Sequence, residues 1–138
     1  NHHHALAPHV LWPSAYALAA WLFAMPASSL VGRRTVELGC GLGLPSMAAA
    51  LAGAKALATD VDRAALALVR QAAVWNLPPG ARAHFHERVL DFTDEAAVRD
   101  VGQADMVLVA GQFYLETLHE PLLAAVRLLC ASGCTLLM

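Results

Sequence analysis

Thr35-Val36-Glu37-Leu38-Gly39-Cys40-Gly41-Leu42-Gly43-Leu44-Pro45-Ser46 reads as a short apolar strand ending in an acid and a leucine, three alternating glycines, and a helix start led by proline. Gly39, Gly41 and Gly43 have the spacing Gly-x-Gly-x-Gly. Without side chains they let the main chain turn tightly and leave room for a flat nucleoside against the backbone. A dinucleotide loop asks instead for Gly-x-Gly-x-x-Gly and a path to a pyrophosphate. Glu37, two residues before the first glycine, suits a ligand that carries a positive group, and S-adenosylmethionine is such a ligand.

A second signal lies one helix and one strand further on, where the mostly apolar run Lys55 to Thr59 ends at Asp60. In a parallel α/β sheet an acid at the carboxyl end of the second strand can accept hydrogen bonds from both hydroxyls of a ribose. Asp60 is therefore the candidate ribose ligand. The competing role, capping the following helix, is the stronger reading for Asp62.

The surrounding chain of 138 residues, 58% hydrophobic and 14% charged, is one domain with a dense core. A net charge of −2 and scattered arginines argue against nucleic acid as a partner. No apolar run reaches the roughly 20 residues of a membrane-spanning helix, so no membrane partner is expected. Cys40, Cys130 and Cys134 lack the paired spacing of a zinc site and are expected as buried thiols in a reducing compartment, the cytoplasm or also the nucleus. His2, His3 and His4 read as a tag remnant or solvated tail, and His84 and His86 as surface or lining residues, so no metal is expected. The first residue is not Met and the last are Leu136-Leu137-Met138, so the chain is expected to be incomplete at its carboxyl end.

Hydrophobic periodicity sets out alternating helices and strands. After Trp12-Pro13-Ser14 a helix places Leu18, Trp21, Leu22 and Met25 on one face, until Pro26 stops it. Strands are expected at Thr35 to Leu38, Ala56 to Thr59, Ala83 to Leu90, Met106 to Ala110 and Cys134 to Met138. Helices are expected at Pro45 to Ala52, from Asp62 to Asn76, at Thr93 to Val101 and at Glu116 to Ala131. Such alternation implies right-handed crossovers and a doubly wound parallel α/β sheet, whose ligands bind at the carboxyl ends of the strands. Glu37 to Gly43, Asp60, Asp91-Phe92 and Ala110 to Tyr114 all fall at such ends. An uncovered last strand would be an edge open to oligomerisation.

These residues resemble the seven-β-strand protein methyltransferases related to the valosin-containing-protein lysine methyltransferase and to methyltransferase-like protein 23. The resemblance rests on Leu11-Trp12-Pro13-Ser14-Ala15, on Glu37 to Pro45, on Thr59-Asp60, on Leu90-Asp91-Phe92 and on Glu120-Pro121-Leu122-Leu123. It implies a Rossmann-like class I methyltransferase fold, truncated here after strand five, with S-adenosylmethionine as cofactor and a protein lysine or arginine side chain as acceptor. By the same resemblance Trp12 borders the methionine end of the cofactor. Glu37, Gly39, Cys40, Gly41 and Gly43 hold its amino-acid part, Asp60 its ribose, and Asp91 and Phe92 the adenine side.

One departure stands out. The family's fourth strand ends in Asp-x-x-Tyr or Asp-x-x-Phe, whereas here the stretch is Gly111-Gln112-Phe113-Tyr114. The aromatic is present and the acid is not. Tyr114 and backbone carbonyls such as that of Ala110 are then the groups left to hold an incoming amine, while Gln112 would instead orient a different acceptor. Three readings follow: a protein methyltransferase with an altered acceptor pocket, a module that binds cofactor without transferring, and a nucleotide-dependent oxidoreductase, which the glycine spacing and Glu37 argue against. A small-molecule methyltransferase is a further option that the Trp-Pro element disfavours.

Overall fold

The computed structural model describes residues 10–112 and 115–138. The opening histidines, Phe113 and Tyr114 lie outside them. Helix α1 (Pro13–Ala24) begins with proline at its first turn, where a missing N–H costs nothing. Strand β1 (Arg34–Leu38) leads into α2 (Leu44–Leu51), and β2 (Lys55–Asp60) into α3 (Arg63–Asn76). A single turn, α4 (Pro79–Arg82), precedes β3 (Phe85–Val89). Then come α5 (Glu95–Val101), β4 (Ala104–Val109), α6 (His119–Leu129) and β5 (Cys130–Leu137). Asp62 caps α3 by accepting from Ala64 N at 2.8 Å, and Asp94 caps α5 by accepting from Ala97 N at 3.1 Å.

The five strands run in the order β3-β2-β1-β4-β5, and every pairing is parallel. Each strand's alternation divides its side chains between two helical layers. Val36, Leu38, Val107 and Val109 face α5 and α6. Met106 and Leu108 point the other way, with Leu18 and Leu22 of α1 and Ala48 and Ala49 of α2, while Ala56 and Ala58 meet Leu66 and Val69 of α3. Alanines on β2 and α2 allow helix and sheet to approach closely. No described helix is long and apolar enough to cross a membrane.

The expected strand and helix alternation holds, with four local corrections. Trp21, read as part of the buried face of α1, is 64% exposed, and the packed face is Ala15, Leu18, Ala19 and Leu22. Its sequence is apolar nearly all round, so periodicity could not choose among the faces. Strand three is shorter than read, because Pro79 to Arg82 form a helical turn instead of leading straight into it. Strand five starts at Cys130, not Cys134. Ala104 pairs with Cys130 and Met106 with Thr135, a register shift that takes up the extra residues of β5. Within that shift Cys130 and Cys134 are joined as a disulfide, Cα to Cα 5.1 Å, so only Cys40 is the buried free thiol that was expected of all three. Cysteine spacing alone does not reveal a bulge that brings a pair four residues apart together.

Leu108 is fully buried between sheet and α1, so Leu108→Ala should cost about 2–5 kcal/mol through lost transfer energy and an unfilled cavity. Leu68→Ala, on the exposed side of α3, should stay within about 0.5 kcal/mol. Paired denaturant titrations check the contrast.

Candidate functional site

The glycine turn is built by the end of β1 and fixed to the end of β2. Gly39, Gly41 and Gly43 have φ of 63°, 54° and 73°, the left-handed region that costs other residues strain. Cys40 N donates to Thr59 O at 2.8 Å, and Gly43 N closes the turn on Cys40 O at 2.8 Å. Gly41 N donates to Asp60 Oδ2 at 2.9 Å, while Asp62 N donates to the other carboxylate oxygen at 2.9 Å. Asp60, 7% exposed, therefore ties together the two loops that follow β1 and β2. Each of its oxygens retains acceptor capacity toward the cleft it lines.

Glu37 does different work from that expected. It is 1% exposed and does not line the cleft. Its side chain points to the α2 side of the sheet, where Oε2 accepts from Ser46 N at 3.0 Å and from the Ser46 hydroxyl. It thus satisfies a free N–H in the first turn of α2, and Thr59 Oγ1 donates to its backbone carbonyl at 2.6 Å. Burial pushes its pKa up from 4.5 to about 8, the Ser46 hydrogen bonds oppose the rise, and the nearby Asp60 charge adds to it. The role read as direct contact with the cofactor is corrected to support beneath the turn. Gly43 is likewise buried against Val69, where an added Cβ would stand 3.1 Å from a Val69 methyl. Cys40 does line the cleft, but burial first, then the charges of Glu37 and Asp60, raises its pKa and keeps it a thiol.

The cleft is a cavity of about 480 Å³ at the carboxyl ends of the strands. After β1 it is lined by Gly39, Cys40 and Gly41, after β2 by Asp60, Val61 and Asp62, after β3 by Leu90, Asp91 and Phe92. After β4 come Ala110, Gly111 and Gln112, and Val10 to Trp12 close the amino-terminal side. Trp12, 50% exposed, borders it from the N-cap of α1. Asp91 Oδ1 accepts from Thr93 N at 2.9 Å and from its hydroxyl at 2.7 Å, shaping the turn that presents half-buried Phe92. Gln112 Nε2 donates to Gly39 O at 2.9 Å. Gly111 has φ 71°, and a Cβ there would come within 2.9 Å of Ser14 Oγ, so the backbone favours glycine at this position. Tyr114 lies outside the described residues. Among the described residues no cluster of His, Cys, Asp and Glu could hold a metal ion.

Val10, Leu11, Val61, Thr93 and Leu118 also line the cavity and were not among the sequence candidates. Val61 had a legible signal: an apolar residue directly after the acid that ends β2, left 61% exposed.

With this geometry in place, comparison with known proteins is decisive. A family profile described as lysine methyltransferase matches residues 3–138. The chain belongs to the lysine methyltransferase family. It is similar to protein N-lysine methyltransferase METTL21A of Mus musculus, 33% identical over 129 residues that cover 94% of this chain and 58% of that protein. The electron transfer flavoprotein beta subunit lysine methyltransferase of Danio rerio is 33% identical over 115 residues, 82% of this chain and 41% of that one. The chain thus spans about half the length of these relatives. The glycopeptide N-methyltransferase MtfA, solved with sinefungin, shares the fold at TM-score 0.68 and 20% identity, covering 88% of this chain and 51% of that one. The α/β Rossmann-like methyltransferase fold expected from the sequence is the fold of this family member.

Two outcomes follow for the turn. Gly39→Ala would place Cβ 2.4 Å from Gln112 Nε2 at a positive φ, and should destabilise by about 1–3 kcal/mol while releasing Gln112, seen as a shifted side-chain amide resonance. For Glu37 the folded pKa of about 8 exceeds the unfolded 4.5, so the folded state holds the extra proton between them. Stability should fall as pH rises through that window. In Glu37→Gln, which keeps an acceptor for Ser46, that fall in the thermal midpoint should disappear.

Proposed function

We propose that this chain forms the cofactor-binding part of an S-adenosylmethionine-dependent protein-lysine N-methyltransferase. One observation carries the reading: Asp60, at the carboxyl end of β2, holds the three-glycine turn by its Gly41 N–H while its carboxylate lines the cleft. The fit is supported by a cavity in the size range of small-molecule sites, about 300–1,000 Å³, floored by glycines where side chains would intrude. Asp60 suits the ribose hydroxyls, and Phe92 and Leu90 suit the adenine, through an aromatic face and an apolar wall. The turn at Gly39 to Gly41 and the indole of Trp12 suit the amino-acid end. When bound, the cofactor supplies a methyl group on a positively charged sulfur.

The chain's own residues then have positional tasks. The cleft has to bring a neutral nitrogen into line with the methyl, and most of the acceleration comes from that alignment. A lysine that enters beside the sulfonium loses its proton more easily, since a neighbouring cation and burial both lower an amine's pKa. The relatives support lysine as acceptor, because their names specify protein lysine methylation. Arginine remains the alternative acceptor. A second reading, cofactor binding without transfer, is favoured by Gly111, whose backbone and Ser14 contact leave the usual acid no easy place.

Calorimetric titration with S-adenosylmethionine, S-adenosylhomocysteine and NAD tests the reading. Micromolar binding of the first two and none of NAD is the expected result. Asp60→Ala should weaken both by at least about tenfold, as expected for a lost carboxylate hydrogen-bonding centre. Unchanged affinity would remove the ribose assignment, and binding of NAD alone would overturn the class.

A further inference from the structure

The strand order β3-β2-β1-β4 lays the cleft out as a line. On the reading given under Proposed function, on which this inference rests, the base meets the loop after β3, the ribose the loop after β2, and the amino-acid part the turn after β1. The sulfur joins ribose to amino acid, so it falls between Asp60 and the Gly39 turn. The next loop in the line, after β4, brings Gln112 over that turn from a position 73 residues away in sequence.

The amide of Gln112 has a determined orientation. A carbonyl oxygen only accepts, so the group 2.9 Å from Gly39 O is the NH2. The planar amide then turns Oε1 away from that carbonyl. A Cβ built on Gly39 would meet Nε2 at 2.4 Å, Cδ at 2.5 Å and Oε1 at 2.7 Å, so the amide lies flat against the bare glycine. Gln112 is half-buried and lines the cavity. No side chain on Gly39 separates this amide from what occupies the turn.

We propose that Gln112 is a specificity-determining residue that distinguishes the methyl-bearing sulfonium cofactor from its demethylated product. Its NH2 is anchored on the Gly39 carbonyl, and Oε1 offers a partial negative charge to the sulfonium and its polarised methyl C–H groups. The product has a neutral sulfur and no such methyl, so it gains nothing from Oε1. The preference favours loading of fresh cofactor and release of product. A residue that merely braced the turn would affect both ligands alike.

The test is the ratio of the two affinities, measured calorimetrically on the full chain and on two variants. Gln112→Met keeps length and apolar contact but removes the dipole, and Gln112→Glu keeps an oxygen acceptor but loses the N–H that anchors it on the Gly39 carbonyl. Gln112→Met should lower the preference for S-adenosylmethionine about three- to fivefold while S-adenosylhomocysteine binds within about twofold of the parent, the size expected of a few weak C–H···O contacts to a cation. Gln112→Glu, which cannot donate to the Gly39 carbonyl and so loses the anchor that aims the oxygen, should lower the preference as well. A ratio unmoved in both variants would overturn the inference and leave Gln112 a brace. Equal tightening of both ligands in Gln112→Met would also overturn it, by showing that the amide obstructs the Gly39 carbonyl. If the parent binds neither ligand, the cofactor reading falls and this inference with it, whereas parent binding with an unmoved ratio defeats the inference alone.

Discussion

The hydrogen bond from Gly41 N to Asp60 Oδ2 is the interaction on which the site depends, because it joins the ends of two neighbouring parallel strands through a turn in which three of five residues have no side chain. A glycine turn with three left-handed residues is entropically expensive to order. Nothing inside the turn can offset that cost except backbone hydrogen bonds, and Cys40 N to Thr59 O supplies a second link to β2. The turn is therefore held from the neighbouring strand. The same residue lines the cleft, so the order of the loop and the shape of that wall of the cleft are one property.

Glu37 solves a related problem one layer down. The helix that follows a tight turn begins with unsatisfied N–H groups, and α2 has no side-chain cap of its own at Gly43. Glu37, projecting from β1 to the α2 side, reaches Ser46 N and its hydroxyl instead. An acid buried this deeply is costly when ionised, and its raised pKa of about 8 is the expression of that cost. The two acids of the motif thus divide the labour, one fixing the helix from beneath and the other fixing the turn at the cleft.

What was legible in the sequence follows from where each constraint resides. The turn at Gly39 and Gly41 and the place of Asp60 at a strand end could be read directly, because they depend on backbone geometry and strand limits, which local sequence encodes. Strand and helix alternation was legible for the same reason. Trp21 was not, because α1 offers apolar residues on every side and only the tertiary partners Ala48, Met106 and Leu108 select the packed face. The start of β5 was missed because a register shift opposite Ala104 and Met106 leaves no mark in the alternation of one strand. Glu37 was assigned to the ligand because an acid before a glycine turn looks the same in sequence whether its side chain faces the cleft or the helix beneath. Strand alternation decides between them, and odd positions of β1 face α2.

The β4 side of the cleft differs in kind. The floor from β1 to β3 is specified by short motifs whose residues are close in sequence, and a chain can keep it while the opposite wall changes. That wall is made by contacts between distant segments: Gln112 on Gly39, and Gly111 beside Ser14 of α1. A left-handed glycine at 111 lets the chain turn close to α1, and the side chain that reaches the turn is now that of position 112, a neutral amide with both a donor and an acceptor. The donor stabilises the protein's own loop and the acceptor remains for the ligand. This side of the cleft is consequently closed by a contact that spans the sheet, which is why the glycine turn and the acids at the strand ends could be read from local motifs while this wall required the folded chain.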